Sequence, residues 1–178
     1  MPNTLWKYRR LVYMYSEEEM IIIDRFNIPK LKGIKSENLI LKTNDEELPG
    51  TNERNFFCKN NNFKFSLVKE KDGLIEPIFI MDFFKSSKRL QALRKEEPSI
   101  KLELLWVKES YRKKGIATYY MKELIKYAKE EGINQIRVIP NPDATNFKED
   151  NKENALNKEH LACFYKKFED EYLKITFI

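Results

Sequence analysis

The chain is poor in the residues that build covalent and metal-held frameworks. Its 178 residues include two cysteines, Cys58 and Cys163, and one histidine, His160. Two thiols cannot make a multi-bridge disulfide scaffold, and with a single imidazole they fall short of a standard zinc donor set. No metal site is expected. Free thiols fit a reducing compartment, so a cytoplasmic location is expected. No apolar run approaches the roughly 18 residues of a membrane span. Candidates such as 20–23 and 104–107 are far shorter. Residues 1–10 carry charges with no apolar h-region after them, so no secretory leader is expected. Glycine is scarce as well, five in all. A dinucleotide fold needs three closely spaced glycines, and these five are not so arranged. A P-loop needs Gly-Lys-Ser/Thr, which occurs nowhere.

What is present suits one domain spanning 1–178, with a core that needs no staples. Apolar residues make up 42% of the chain and aromatics 13%. The 33 basic and 28 acidic residues leave a net charge of +5. That balance permits a polyanionic partner without requiring nucleic acid, and most of these charges serve to solvate the surface. Aromatics interleaved with basic residues in 6–15 keep a nucleic-acid contact open as the alternative reading.

Periodicity divides the chain unevenly. Residues 6–15 fit neither a helical nor a strand period. Ser16 before Glu17, Glu18 and Glu19 reads as an N-cap with an acidic first turn, opening a helix through Phe26. Residues 43–55, with Pro49-Gly50, read as a loop. Residues 63–68 alternate as a half-buried strand, Lys71-Asp72-Gly73 is a turn, and 74–83 is a second strand in which Pro77 marks an edge or a bulge. A helix is expected over 86–97, stopped by Pro98. Then come a strand at 100–107, a helix at 118–131 ended by Gly132, a strand at 135–139 and a long polar loop at 140–155. Asn157 caps a helix to about Phe168, with Leu156 and Leu161 as its staple, and 173–178 closes as a strand. The order argues for an α/β, mixed α+β fold: a mostly antiparallel mixed sheet flanked by helices.

The chemistry lies in 102–131. A strand runs into Arg112-Lys113-Lys114-Gly115-Ile116-Ala117-Thr118, and a helix follows. The first amides of a helix have no intrahelical acceptor and sit at the positive end of its dipole, which together make an anion site. Gly115 is expected to let a phosphate close to the backbone, with Ala117 small for the same reason, and Arg112, Lys113 and Lys114 adding charge. This arrangement, Arg-x-x-Gly-x-Ala with Val107 eight residues before Gly115, resembles the central motif of the GNAT superfamily of acyl-CoA N-acyltransferases. The resemblance covers about residues 101–168.

The resemblance implies acetyl-CoA as cosubstrate and an amine, small or peptidic, as acceptor. It implies a cleft where the motif strand splays from the next strand. The diphosphate would rest on the amides of 112–118 and the pantetheine would run along Leu105 to Val107. A bulge near the strand's end would free an amide, that of Val107, to polarise the thioester. Residues 100–178 would form the acyl-CoA half and 1–60 a variable acceptor-side region, sharing substrate choice with the loop 141–155. Strand alternation puts Glu103, Leu105 and Val107 on one face, which makes Glu103 a candidate base; Asp82 and a water chain remain alternatives. Phe164-Tyr165-Lys166-Lys167 matches the family's Leu-Tyr-x-Lys, so Tyr165 carries over as the residue that gives the leaving thiolate a proton or a hydrogen bond. Two departures stand out: the family's Asn position is Lys158, and its Gly-Phe ending is Glu169-Asp170. They leave a non-catalytic module of the same fold, or a homodimer with a vestigial cleft, as further readings. His160 is expected at the surface, and Cys163 packed as a small apolar residue.

Overall fold

The computed structural model describes residues 16–30, 39–43, 45–47, 54–56, 58, 61–144 and 150–178. The segment 6–15 lies outside them. The elements in chain order are α1 (Glu17–Arg25), β1 (Leu39–Lys42), β2 (Asp45–Glu47), β3 (Arg54–Phe56), β4 (Asn62–Lys71), β5 (Leu74–Lys85), α2 (Lys88–Arg94), β6 (Ile100–Val107), α3 (Ile116–Glu130), β7 (Gln135–Val138), α4 (Lys158–Lys166) and β8 (Lys174–Phe177). Six strands form one sheet in the order β1-β4-β5-β6-β7-β8. It is antiparallel from β1 to β6 and parallel across β6–β7 and β7–β8. This is the mixed α/β architecture expected.

Local chemistry explains most boundaries. Ser16 Oγ accepts the Glu19 amide while the Glu19 carboxylate accepts the Ser16 amide, a complete capping box. The β4–β5 hairpin turns on Asp72 and Gly73, with φ of 53° and 75°, the paired left-handed geometry of a two-residue hairpin turn. Pro77 lies next to a bulge: Leu67 faces Phe79 and Val68 faces Pro77, leaving Ile78 unmatched. The bulge alternative therefore holds, since β5 is interior. Helix α2 is shorter than its expected span, because Ser87 caps it and Lys95 leaves it in a left-handed conformation, ahead of Pro98. Residues 43–55 differ from the loop expected: β2 and β3 pair there as a separate antiparallel ribbon. A short ladder needs only backbone partners, so its polar sequence gave no strand period.

One aromatic layer holds α1 and α3 to the sheet. Phe63, Phe65, Phe79 and Phe83 on β4 and β5 meet Phe26 of α1 and Tyr120 and Tyr127 of α3. Tyr120, Leu124 and Ala128 are all fully buried, as their helical spacing predicts. No helix among the described residues is long and apolar enough to cross a membrane.

Tyr120 stacks on Phe79 with ring centroids 4.4 Å apart, but its buried hydroxyl has no hydrogen-bond partner among the described residues. Burying an unpaired hydroxyl costs stability. Tyr120→Phe is therefore expected to stabilise the fold by about 1 kcal/mol. Urea unfolding checks it: the midpoint should rise with unchanged slope, and a fall would contradict it.

Candidate functional site

The sheet opens between β6 and β7. Their pairing runs from Ile100↔Ile136 to Leu102↔Val138 and ends there, while β6 continues to Val107. Pro140, just past the stop, has no N–H with which to extend the ladder. The chain turns instead, with the Asn141 amide donating to the Ile139 carbonyl at 2.9 Å. A cavity of about 550 Å³ fills the gap. Residues 103–107 line one side, the turn and first residues of α3 its end, and Ile139, Asn141 and α4 the other side. The splay lies where the sequence placed it.

Register within β6 departs from the sequence reading. Asp82 faces Leu104 and Phe83 faces Leu102, so Glu103 is an extra, bulged residue. The bulge resets the alternation. Leu105 and Val107 lie opposite Met81 and Phe79, on the face packed by α3. Glu103 falls on the other face, with Leu104, Trp106 and Asp82. Its carboxylate pairs with Lys101 at 2.8 Å. The expectation that Glu103, Leu105 and Val107 share a face is corrected, and so is the position of the bulge. The Val107 amide needs no bulge to reach the cleft. The Lys108 amide donates to Ile78 on β5 at 3.0 Å, so the neighbouring Val107 peptide groups point away from β5. The Val107 carbonyl indeed accepts from Arg112 Nε at 3.1 Å.

A short 3-10 turn (Glu109–Tyr111) leads into the motif. Gly115 is the N-cap of α3 with φ of 87°. The first helical bond runs from the Tyr119 amide to the Gly115 carbonyl at 2.9 Å. The amides of Gly115, Ile116, Ala117 and Thr118 therefore precede any intrahelical acceptor. All four residues line the cavity. A Cβ on Gly115 would meet no protein atom within 4 Å. Its positive φ, rather than steric crowding by the protein, is what demands glycine.

The basic side chains of the motif are differently occupied. Arg112 donates to three carbonyls: Val107, Asn151 at 2.8 Å and Glu153 at 2.7 Å. Lys113 Nζ donates to Asn154 Oδ1 at 2.6 Å. Lys114 lies 5.0 Å from the Tyr111 ring centroid and is not part of the cavity lining. On α4, Tyr165 is 5% exposed and lines the cavity. Burial raises its phenol above the ordinary range.

Asp82 is not among the lining residues. Burial pushes its carboxyl up to about 6, against the opposing pull of Lys64, whose Nζ is 3.8 Å away; the nearby Glu103 charge pushes the same way as burial. His160 is exposed, as expected. Cys163 is exposed too, contrary to the packed position expected, because it lies on the outer side of α4 while Tyr165 turns inward. Cys58 is buried, its thiol donating to the Lys64 carbonyl at 3.0 Å, and burial raises its pKa to about 12. No group of three or more His, Cys, Asp or Glu able to hold a metal occurs among the described residues. The sequence reading missed Trp106, whose indole N–H donates to Asp150 Oδ2 at 2.5 Å. A 44-residue separation hides that pair from any local pattern.

Asp82 also gives a signed pH effect. A carboxyl raised in the folded state favours folding most while protonated, so its contribution is full below 3.8 and is lost as pH rises through about 6. The stability of the native chain minus that of Asp82→Asn is expected to fall by about 3 kcal/mol across this window. Denaturant titrations from acid to neutral pH check it, and a difference constant with pH would contradict it.

Comparison with known families matches residues 44–150 to the acetyltransferase (GNAT) family. Among solved structures, an aminoglycoside acetyltransferase from an uncultured soil metagenomic sample is 21% identical over 62% of each chain, with a TM-score of 0.37. A ribosomal-protein-alanine N-acetyltransferase from Brucella melitensis biovar Abortus is 14% identical over 62% of this chain and 66% of its own, with a TM-score of 0.36. A predicted acetyltransferase from Clostridium acetobutylicum, with acetyl-CoA, is 16% identical over 62% of each chain, with a TM-score of 0.34. The matched region thus spans less than two thirds of each of these solved chains. No curated protein matches. The family match covers more than half of the sequence and contains all of β6, the glycine turn, α3 and β7; the chain belongs to the acetyltransferase (GNAT) family.

Proposed function

We propose that the protein transfers an acetyl group from acetyl-CoA to a primary amine by direct attack. The observation that carries this reading is the row of free amides at 115–118 at the end of a split sheet. Such amides favour a diphosphate, because partial positive charge and hydrogen-bond donors converge there. Pantetheine then runs beside Leu105 and Val107, whose backbone groups have no β7 partner, and pairs with them as an added strand would. The Val107 amide polarises the thioester carbonyl and stabilises the charge that develops on its oxygen.

The amine must lose a proton to attack. Glu103 takes it, directly or through a water chain, from the sheet face opposite α3. The bulge supports this assignment by turning Glu103 away from the packed aromatic layer while leaving it in the cleft lining. Asp82 stands behind it and outside the lining. A C–N bond forms, the C–S bond breaks, and the departing thiolate accepts a hydrogen bond from the Tyr165 hydroxyl. Burial raises the phenol and so works against its ionisation, which favours stabilisation of the thiolate by a hydrogen bond from Tyr165, with solvent completing the protonation. Tyr165 lies beyond the matched residues 44–150, so its role rests on its position in the cleft.

Titration calorimetry with acetyl-CoA tests the reading. The native protein is expected to bind, and Gly115→Glu to abolish binding, because a carboxylate replaces the anion's seat. No binding to the native protein would overturn it. Tyr165→Phe is expected to retain acetyl-CoA affinity and lower kcat by about 10- to 100-fold. An unchanged kcat would remove Tyr165 from the mechanism.

A further inference from the structure

Four polar contacts tie residues 150–154 to the end of β6 and the glycine turn. Trp106 Nε1 donates to the Asp150 carboxylate at 2.5 Å. Arg112 Nη1 donates to the carbonyls of Asn151 and Glu153 at 2.8 and 2.7 Å. Lys113 Nζ donates to Asn154 Oδ1 at 2.6 Å. Arg112 bridges further, since its Nε holds the Val107 carbonyl at 3.1 Å. Its planar fork therefore joins the strand end to the strap in a single side chain. Asp150, Lys152 and Asn154 of this strap line the cavity, as do Trp106 and Arg112 themselves.

From this arrangement we infer that Arg112 and Asp150 are positioning residues. They dock the strap 150–154 as a wall of the cleft, and Arg112 serves the acyl carrier through that wall rather than as a phosphate ligand. Nε and Nη1 of the guanidinium are committed to three carbonyls, so the fork faces the strand end and the strap, and the carrier's charge falls to the backbone amides. The fork also fixes the Val107 carbonyl, and with it the orientation of the last residues of β6. Lysine keeps the charge of arginine but cannot hold three acceptors in one plane. Charge and fork geometry are thereby separable. This inference rests on the acyl-CoA reading for its effect on binding, but strap docking itself does not.

The test uses Trp6→Phe, which leaves Trp106 as the sole tryptophan. In that background Arg112→Lys, Arg112→Gln and Asp150→Asn are compared without ligand. All three are expected to shift Trp106 emission and to speed amide exchange over 150–154. Where an Arg112 variant does not fold, Asp150→Asn carries the test, since it leaves the guanidinium in place. With acetyl-CoA, Arg112→Lys should bind about tenfold more weakly, the scale of one charge-assisted hydrogen bond, and as weakly as Arg112→Gln. Native emission, exchange and affinity in Arg112→Lys would overturn the inference and make Arg112 a simple electrostatic ligand. If the native chain binds no acetyl-CoA, the proposed function fails, while the emission and exchange results still decide whether the strap is clamped.

Discussion

The site depends on an unequal pair of neighbouring strands. β6 runs to Val107, while β7 stops pairing at Val138. Backbone amides and carbonyls are obligatory hydrogen-bonding groups, so an interior strand that loses its partner must meet water, a side chain or a ligand. Pro140 contributes to the inequality, because it has no N–H with which to carry the shorter strand's ladder onward. The Val107 carbonyl is satisfied internally, by Arg112. Its amide and the backbone of Leu105 face the cleft. The longer strand is left with an edge that has no strand partner along the cleft.

The anion cradle has a similar economy. It uses one left-handed glycine, at φ of 87°, and the unsatisfied amides that every helix carries. A net charge of +5 suggests that lysines and arginines do the binding, but those nearest the turn already hold other partners. Arg112 holds carbonyls, Lys113 an asparagine and Lys114 a tyrosine ring. Charge here organises the protein around the cleft, and the proposed seat of the anion is the backbone. The aromatic layer beneath, from Phe26 to Tyr127, fixes α3 on the sheet and so fixes where those amides point.

Much of this was legible in the sequence because the signals were local. The Ser16 capping box, the Asp72-Gly73 turn, Gly132 after α3 and Asn157 before α4 each act within a few residues, and each was read correctly. The strand–glycine–helix unit was legible for the same reason. The bulge at Glu103 was not. The stretch from Leu102 to Val107 is apolar on both faces apart from Glu103, so an inserted residue leaves no break in its pattern. Strands β2 and β3 were hidden by polarity, and the outward turn of Cys163 by a helix face that its short amphipathic pattern did not resolve. The strap contacts join residues about 40 positions apart, and only the folded chain brings them together.

Backbone amides behind Gly115 are proposed to hold the diphosphate of an acyl carrier. A crystal structure of the complex with CoA tests it most directly. The account predicts diphosphate oxygens about 2.7–3.2 Å from the amide nitrogens of residues 115–118, with the pantetheine alongside Leu105 and Val107. A diphosphate seated elsewhere, or held by the Arg112 guanidinium with those amides left to solvent, would contradict it.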